Sequence, residues 1–215
     1  MRLYTYWRSS AAYRVRIALN LKGLEVEHVP KHLVREGGEH RLDDYLALNP
    51  QGLVPALEHG GRVIAQSLAI IEYLEEIRPY PPLLPHDPGE RAMVRSLALA
   101  VACDIHPLNN LRVMDYLKGP MAQGPDAVSA WYAHWIAAGF RGLEGMAKRT
   151  SGDGRHLYGS SVSLADVLLV PQVYNARRFD CDLGPYPLLV AIDTHLQSLP
   201  AFHAARPEAQ ADAAP

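Results

Sequence analysis

The segment from Leu3 to Gly23 changes its hydrophobic period with no spacer between, and that switch leaves few folds open. Leu3, Tyr4, Thr5, Tyr6 and Trp7 are aromatic, β-branched or apolar, the residue types a buried strand prefers. Ser9 and Ser10 then offer hydroxyls at a helix start, where backbone N–H groups lack partners. Ala11, Val15, Ala18 and Leu19 repeat at helical spacing, and Gly23 supplies a C-terminal stop. A helix N-terminus carries partial positive charge and free donors, so it suits an anion. A hydroxyl placed there can donate to a thiolate and lower its pKa from the free value of about 8.5. The two serines could equally be helix caps and nothing more.

Composition sets the outer limits. A chain of 215 residues, 48% hydrophobic, can bury one large core or two small ones. Its 21 basic and 23 acidic residues leave a net charge of -2, which gives no general field for nucleic acid or an anionic membrane. No long apolar run or signal-peptide pattern is present, so a soluble, cytoplasmic protein is expected. Cys103 and Cys181 are far apart, with no CxxC and no Cys/His metal spacing, and the histidines are scattered. Neither a metal site nor a disulfide framework is expected.

The first part of the chain reads as a small α/β unit. Val26 to Val29 is a short alternating strand, and Lys31 to Asp44 is polar and irregular or weakly helical, with His40 in it as a solvated loop residue. Asn49-Pro50 and Gly52 mark a turn into Val54-Pro55 and the strand Ala56 to Glu58. From the residues alone the Val54-Pro55 bond is expected trans, since cis makes up only about 5–6% of such bonds. Gly60-Gly61 is a hairpin signal between that strand and Val63-Ile64. Ser67 is expected to cap a helix with Leu68, Ile71 and Leu74 on one face, stopping at Pro79.

The prolines between Tyr80 and Pro88 rule out a helix or central strand and predict a linker over 81–89, separating a domain at 1–80 from an all-helical one at 90–215. Glu90 to Lys118 is a long helical pattern that Pro107 should kink or end. His106, Asn109, Asn110 and Arg112 cluster there, facing either a cavity or water. Asp126 to Lys148 is a second helix, whose Gly139 and Gly142 predict close packing. Ser163 and Asp166 form a capping box before an apolar helix that ends at Arg177-Arg178, where a helix dipole favours cations. Pro187 to Phe202 reads as a last helix, and the Ala-rich tail from Arg206 as loose.

Taken together, the serine helix, Val54-Pro55, Gln66-Ser67, the proline linker and the helical half resemble the glutathione transferases. Ser9 to Leu19, Gln66 to Glu76, Asp104 to Leu111, and Leu169 to Val173 with Arg178-Phe179 resemble the zeta class, which includes the maleylacetoacetate and maleylpyruvate isomerases. The resemblance implies an α/β thioredoxin-like N-terminal domain followed by an all-α domain. It also implies glutathione as cofactor, a homodimer, and no nucleic-acid or membrane partner. By resemblance, Ser9 hydrogen-bonds the glutathione sulfur, with Ser10 and Ala11 adding donors. Val54 pairs with the cysteinyl backbone across a cis Pro55, Gln66 and Ser67 hold the γ-glutamyl carboxylate, and His40 meets the glycyl end. His106, Asn109 and Asn110 line the cleft. Many zeta sequences carry Ser-Ser-Cys where this chain has Ala11, so activities that lean on that cysteine are not expected here.

The implied reaction is cis–trans isomerisation of a maleyl dicarboxylate, most simply maleylacetoacetate to fumarylacetoacetate in tyrosine breakdown. The thiolate would add to the alkene carbon, and rotation and loss of the thiolate would regenerate glutathione. Arginine suits the substrate carboxylates because its fork donates two hydrogen bonds. Arg8, beside the serine turn, and Arg178 are the expected grips, with Arg112 as a further candidate. Maleylpyruvate isomerisation, or conjugation and dehalogenation of α-halo acids, keeps the same fold with a different substrate. A catalytically silent binding module is the third reading, and intact Ser9, Val54-Pro55 and Gln66-Ser67 argue against it.

Overall fold

The computed structural model describes residues 1–213. They form two compact units, one of Met1–Pro82 together with the residues from Leu199, the other of Leu83–Ser198.

The first unit is built on four short strands: β1 (Arg2–Thr5), β2 (Glu27–Pro30), β3 (Ala56–His59) and β4 (Arg62–Ala65), in the order β2-β1-β3-β4. β1 runs parallel to β2 and antiparallel to β3, and β3 antiparallel to β4. Helix α1 (Ser10–Lys22) follows β1 and stops at Gly23, which takes the left-handed conformation at φ 60°. Gly60 and Gly61, at φ 57° and 74°, supply the two positive-φ residues of the β3–β4 hairpin. The polar stretch after β2 holds two 3₁₀ turns and a short helix, α2 (Asp43–Leu48), and α3 (Ser67–Ile77) closes the segment before the prolines. Lys22, 2% exposed, ties α1 to α3 by pairing with Glu75 and donating to the Pro81 carbonyl at 2.5 Å.

In the second unit α4 (Pro88–Leu99) runs into a π-helical turn at Ala100–Ile105, a 3₁₀ turn at His106–Asn109, and α5 (Leu111–Lys118). The break is where Pro107 was expected to make one: proline has no N–H for the carbonyl four residues back. Helix α6 (Pro125–Thr150) passes close at Gly139, where a Cβ would lie 2.2 Å from Cγ1 of Ile105. Gly142, expected to mark a second close approach, has open space around it. Helix α7 (Leu164–Arg178) is buried along most of its length, and α8 (Pro187–Gln197) follows it. No helix among the described residues is long and apolar enough to cross a membrane.

The C-terminal residues depart from the sequence reading. The expected last helix is two, because Pro200 opens a new helix, α9 (Pro200–Ala205). The helical unit stops at Ser198 instead of running to 215. Beyond it, Ala201 and Ala205 present carbonyls to the Asn20 side chain at 2.9 Å and to Nε of Arg16 at 3.0 Å. Nor is the tail loose through residue 213. Pro207 is buried, Gln210 donates to the Ala204 and Arg206 carbonyls, and Asp212 accepts the Trp7 N–H at 2.9 Å.

The Ser163–Asp166 pair anchors α7. Oδ2 of Asp166 accepts from the Ser163 N–H and hydroxyl, both at 2.8 Å, and Oδ1 accepts from the Leu157 N–H at 2.7 Å. The carboxyl is fully buried, and loss of water pushes it up to about 6 despite these three donors. Asp166→Ala strands two buried N–H groups and should cost about 2–5 kcal/mol, read by urea unfolding at neutral pH. The raised pKa means the folded state holds this proton more tightly than the unfolded chain does. This group's contribution to stability is therefore lost as pH rises from about 4 to about 6 and is flat above that. The stability gap between the wild type and Asp166→Asn should narrow over that window, and a gap that widens would refute the assignment.

Candidate functional site

Strand register brings the predicted site residues of the first unit to one end of the sheet. Tyr4 lies opposite Ala56, and Ala56 opposite Ala65. The exit of β1, the entry to β3 and the exit of β4 therefore meet at the same edge, carrying Ser9, Val54-Pro55 and Gln66-Ser67. β2 is parallel to β1, so the segment leading to His40 leaves from that end too.

Ser9 is the N-cap of α1, its Oγ accepting the Ala12 N–H at 3.2 Å. Capping uses an acceptor lone pair and leaves the hydroxyl proton to be donated elsewhere, so the cap does not preclude a donor role. Ser10 is buried in the first helical position. The Ala11 N–H has no acceptor among the described residues. Arg8 is exposed, lies over the Trp7 ring at 4.6 Å, and reaches the Tyr6 hydroxyl at 3.5 Å.

The Val54-Pro55 bond is cis, as the resemblance implied and the residues alone did not. The carbonyl just before it, on Leu53, accepts from the Tyr45 hydroxyl at 2.7 Å and the Asn49 side chain at 2.8 Å. Burial pushes the Tyr45 phenol up to about 12, so it remains a donor throughout the working range of pH. His40, expected to be solvated, is 5% exposed. The Gly38 and Gly52 turns pack against it: a Cβ on Gly38 would lie 2.5 Å from the ring, and one on Gly52 3.2 Å from the His40 carbonyl.

At α3 the sequence reading is corrected by one residue. Gln66, not Ser67, is the N-cap, and it makes no side-chain cap bond. Ser67 is the first helical residue, buried, with its hydroxyl accepting from Nη1 of Arg14 at 3.4 Å. The Ser67, Leu68 and Ala69 N–H groups have no acceptor among the described residues. A helix start with open donors and a buried guanidinium beside its serine is suited to an anion by charge and by hydrogen-bonding capacity. Gln66 sits at φ 71°, where side chains are uncommon, and its amide donates to the Gln51 side chain at 3.0 Å. Arg14, Gln51 and Tyr45 were not singled out from the sequence, and Asn49 only as a turn residue. Arg14 sits on a helix that alternates charged and apolar residues, and only tertiary packing shows that it is 2% exposed.

The predicted residues of the second unit divide by role. Asn109 is buried and donates to the Tyr132 carbonyl on α6 at 3.2 Å, so it does not face water. Asn110 caps α5, accepting the Arg112 N–H at 3.1 Å. His106 is half-buried and Arg112 exposed. Arg177 pairs with the fully buried Asp193 on α8. Arg178 instead lies over the Phe179 ring at 4.5 Å, and that ring stacks on Tyr132 at 3.9 Å. Among the described residues Arg178 has no carboxylate partner.

Comparison with known proteins agrees with this geometry. Residues 1–76 match the family model "Glutathione S-transferase, N-terminal domain". A probable maleylacetoacetate isomerase of Vibrio cholerae is 52% identical over 98% of this chain and 97% of its own. A holo structure of maleyl pyruvate isomerase, described as a bacterial glutathione S-transferase of the zeta class, superposes with a TM-score of 0.96 at 50% identity over the whole of both chains. A maleylacetoacetate isomerase from Methylobacterium extorquens, solved with malonate and glutathione bound, gives a TM-score of 0.94 at 40% identity, again over the whole of both. With the serine-capped helix, the cis proline and the open start of α3 at one end of the sheet, these likenesses mean that the chain belongs to the zeta class of the glutathione transferases, the family of the maleylacetoacetate and maleylpyruvate isomerases.

Proposed function

We propose that the protein is a glutathione-dependent cis–trans isomerase of a maleyl dicarboxylate, acting on maleylacetoacetate, as a cytoplasmic homodimer. The observation that carries this reading is the convergence of two anion-suited helix starts at one end of the sheet. One offers a hydroxyl proton and the Ala11 N–H, and the other offers open N–H groups beside Arg14. That pair matches a thiolate at one end of a ligand and a carboxylate at the other, which are the two anionic features of glutathione's γ-glutamyl-cysteinyl portion.

When bound, glutathione supplies a thiolate that adds reversibly to a carbon–carbon double bond, so that the bond can rotate. The chain's own residues hold and polarise. Ser9 donates its hydroxyl proton toward the sulfur, and Ser10 and Ala11 add the positive end of α1. Gln66 and Ser67 hold the γ-glutamyl carboxylate, Val54 the cysteinyl backbone, and His40 the glycyl end. Ala11 has no thiol, so no mixed disulfide can form at that position. Arg8 and Arg178 grip the substrate carboxylates. Asn109 has its amide donor occupied and Asn110 its carbonyl oxygen. We assign ligand contact at that turn to His106 and the Asn110 amide, with Arg112 exposed beside them. A relative of this family was solved with malonate, itself a dicarboxylate, together with glutathione, which supports a dicarboxylate as substrate.

Maleylpyruvate is the second reading, favoured by the likeness to a solved maleyl pyruvate isomerase over the whole chain. The two substrates differ in the length of the acyl arm. Ultraviolet assays on both, with and without glutathione and with free thiol followed in parallel, separate the readings. Isomerisation consumes the cis substrate at constant thiol, and the larger kcat/KM names the substrate. Thiol falling in step with substrate would point instead to a conjugating transferase.

The two neighbouring arginines should behave differently. Arg178→Ala is expected to lower kcat/KM for the dicarboxylate about 10–100-fold while the Kd for glutathione stays unchanged, because it removes a charged hydrogen-bonding partner of the substrate. Arg177→Ala should cost about 1–3 kcal/mol of stability by leaving the buried Asp193 with only the Gln197 side chain as donor, with kcat/KM little altered. Equal effects of the two on kcat/KM would remove the distinction.

A further inference from the structure

The backbone that carries Arg8 and Ser9 is held from behind by groups that belong neither to the thiol site nor to the carboxylate site. Arg16 is 2% exposed. Its guanidinium donates to the Trp7 carbonyl at 2.9 Å, the Tyr6 carbonyl at 3.4 Å and the Thr5 hydroxyl at 3.2 Å, and to the Ala205 carbonyl at 3.0 Å. On the donor side, the Trp7 N–H is bound by the carboxylate of Asp212 at 2.9 Å. Both polar atoms of the Trp7 peptide units are thus tied to side chains distant in sequence. One residue later comes Arg8, lying on the Trp7 ring, and then Ser9, whose own N–H bonds back to the Tyr6 carbonyl at 3.0 Å.

We infer that Arg16 and Asp212 are positioning residues for the serine turn: by fixing the Tyr6–Trp7 backbone they set where the Ser9 hydroxyl and the Arg8 guanidinium point. The inference rests on the proposed reading of Ser9 as the thiolate's hydrogen-bond donor. Hydrogen bonds depend steeply on distance and angle, so a turn free to shift by a few tenths of an ångström weakens the donor without emptying the site. The residues from Leu199 onward are therefore part of how this unit prepares its ligand site, although none of them needs to touch the ligand. Asp212 suits substitution because it lies half-buried in a turn, outside every helix and strand.

Four full-length proteins decide the matter: wild type, Asp212→Ala, Asp212→Asn and Arg16→Lys. Each is assayed for kcat and KM, for the ultraviolet absorbance of the thiolate of bound glutathione at neutral pH, and for thermal unfolding. In Asp212→Ala the thiolate signal and kcat should fall together by about tenfold, with KM for glutathione within about twofold of wild type, because positioning of the reacting group is lost and not the binding surface. Asp212→Asn keeps an oxygen that accepts the Trp7 N–H and should restore most of both signals. Arg16→Lys keeps the charge but not the fork that spans four acceptors, and should reproduce the loss seen with alanine at 212. The inference is overturned if Asp212→Ala keeps the wild-type thiolate signal and kcat, or if the asparagine variant is as impaired as the alanine variant. Absence of a thiolate signal from the wild type would instead remove the reading of Ser9, and this inference with it.

Discussion

Everything in the first unit depends on the register of four strands, each only four residues long. Leu3 and Leu57 lie opposite each other, Ile64 lies opposite Leu57, and both leucines are fully buried. Because side chains alternate faces, a slip of one residue would carry Leu3 or Leu57 to the opposite face, at a cost of about 1.5–3 kcal/mol for each apolar side chain exposed. That penalty specifies the register, and the register in turn specifies which strand ends meet. Ser9, Val54-Pro55 and Gln66-Ser67 are up to 58 residues apart in the chain. They share one end of the sheet because the apolar residues permit only that pairing.

The sharpest local cost lies at the exit from β4. Gln66 at φ 71° occupies backbone space that a non-glycine residue enters at a cost of about 1–3 kcal/mol. A glycine would relieve that strain but could not bond to Gln51. The turn sends the chain from strand to helix without a spacer, so the first N–H groups of α3 emerge at the end of the sheet with Ser67 among them. Strain of this kind persists where neighbouring structure over-determines it, and here the hairpin before it and the buried Ser67–Arg14 contact after it do so.

What could be read from the sequence was local. The Ser9 cap, the Gly60-Gly61 hairpin, the break at Pro107 and the Ser163–Asp166 box each depend on residues within a few positions of one another, and each occurs as expected. What escaped depends on distant partners. His40 reads as a loop histidine until two glycine turns close on it, and the tail reads as loose until Asp212 meets Trp7, 205 residues away in sequence. Arg14 and Arg16 are charged residues set among apolar ones, and only packing against distant partners shows that both are almost fully buried. The cis bond at Val54-Pro55 came only from family likeness, since local preference favours trans.

Arg177 and Arg178 show why residue type at a helix end does not settle a role. Both satisfy the preference of a helix C-terminus for positive charge, so the dipole cannot distinguish them. Consecutive residues on a helix point about 100° apart, which follows from 3.6 residues per turn. One side chain therefore turns to α8 and is committed to Asp193, whose buried carboxyl burial pushes up and the arginine pulls back down. The other turns to the Phe179–Tyr132 stack, where it meets a ring face and no carboxylate. An aromatic face orients a guanidinium while leaving its in-plane donors unspent. Of the two, Arg178 alone keeps its guanidinium edge clear of a carboxylate among the described residues, while Arg177 holds α7 to α8.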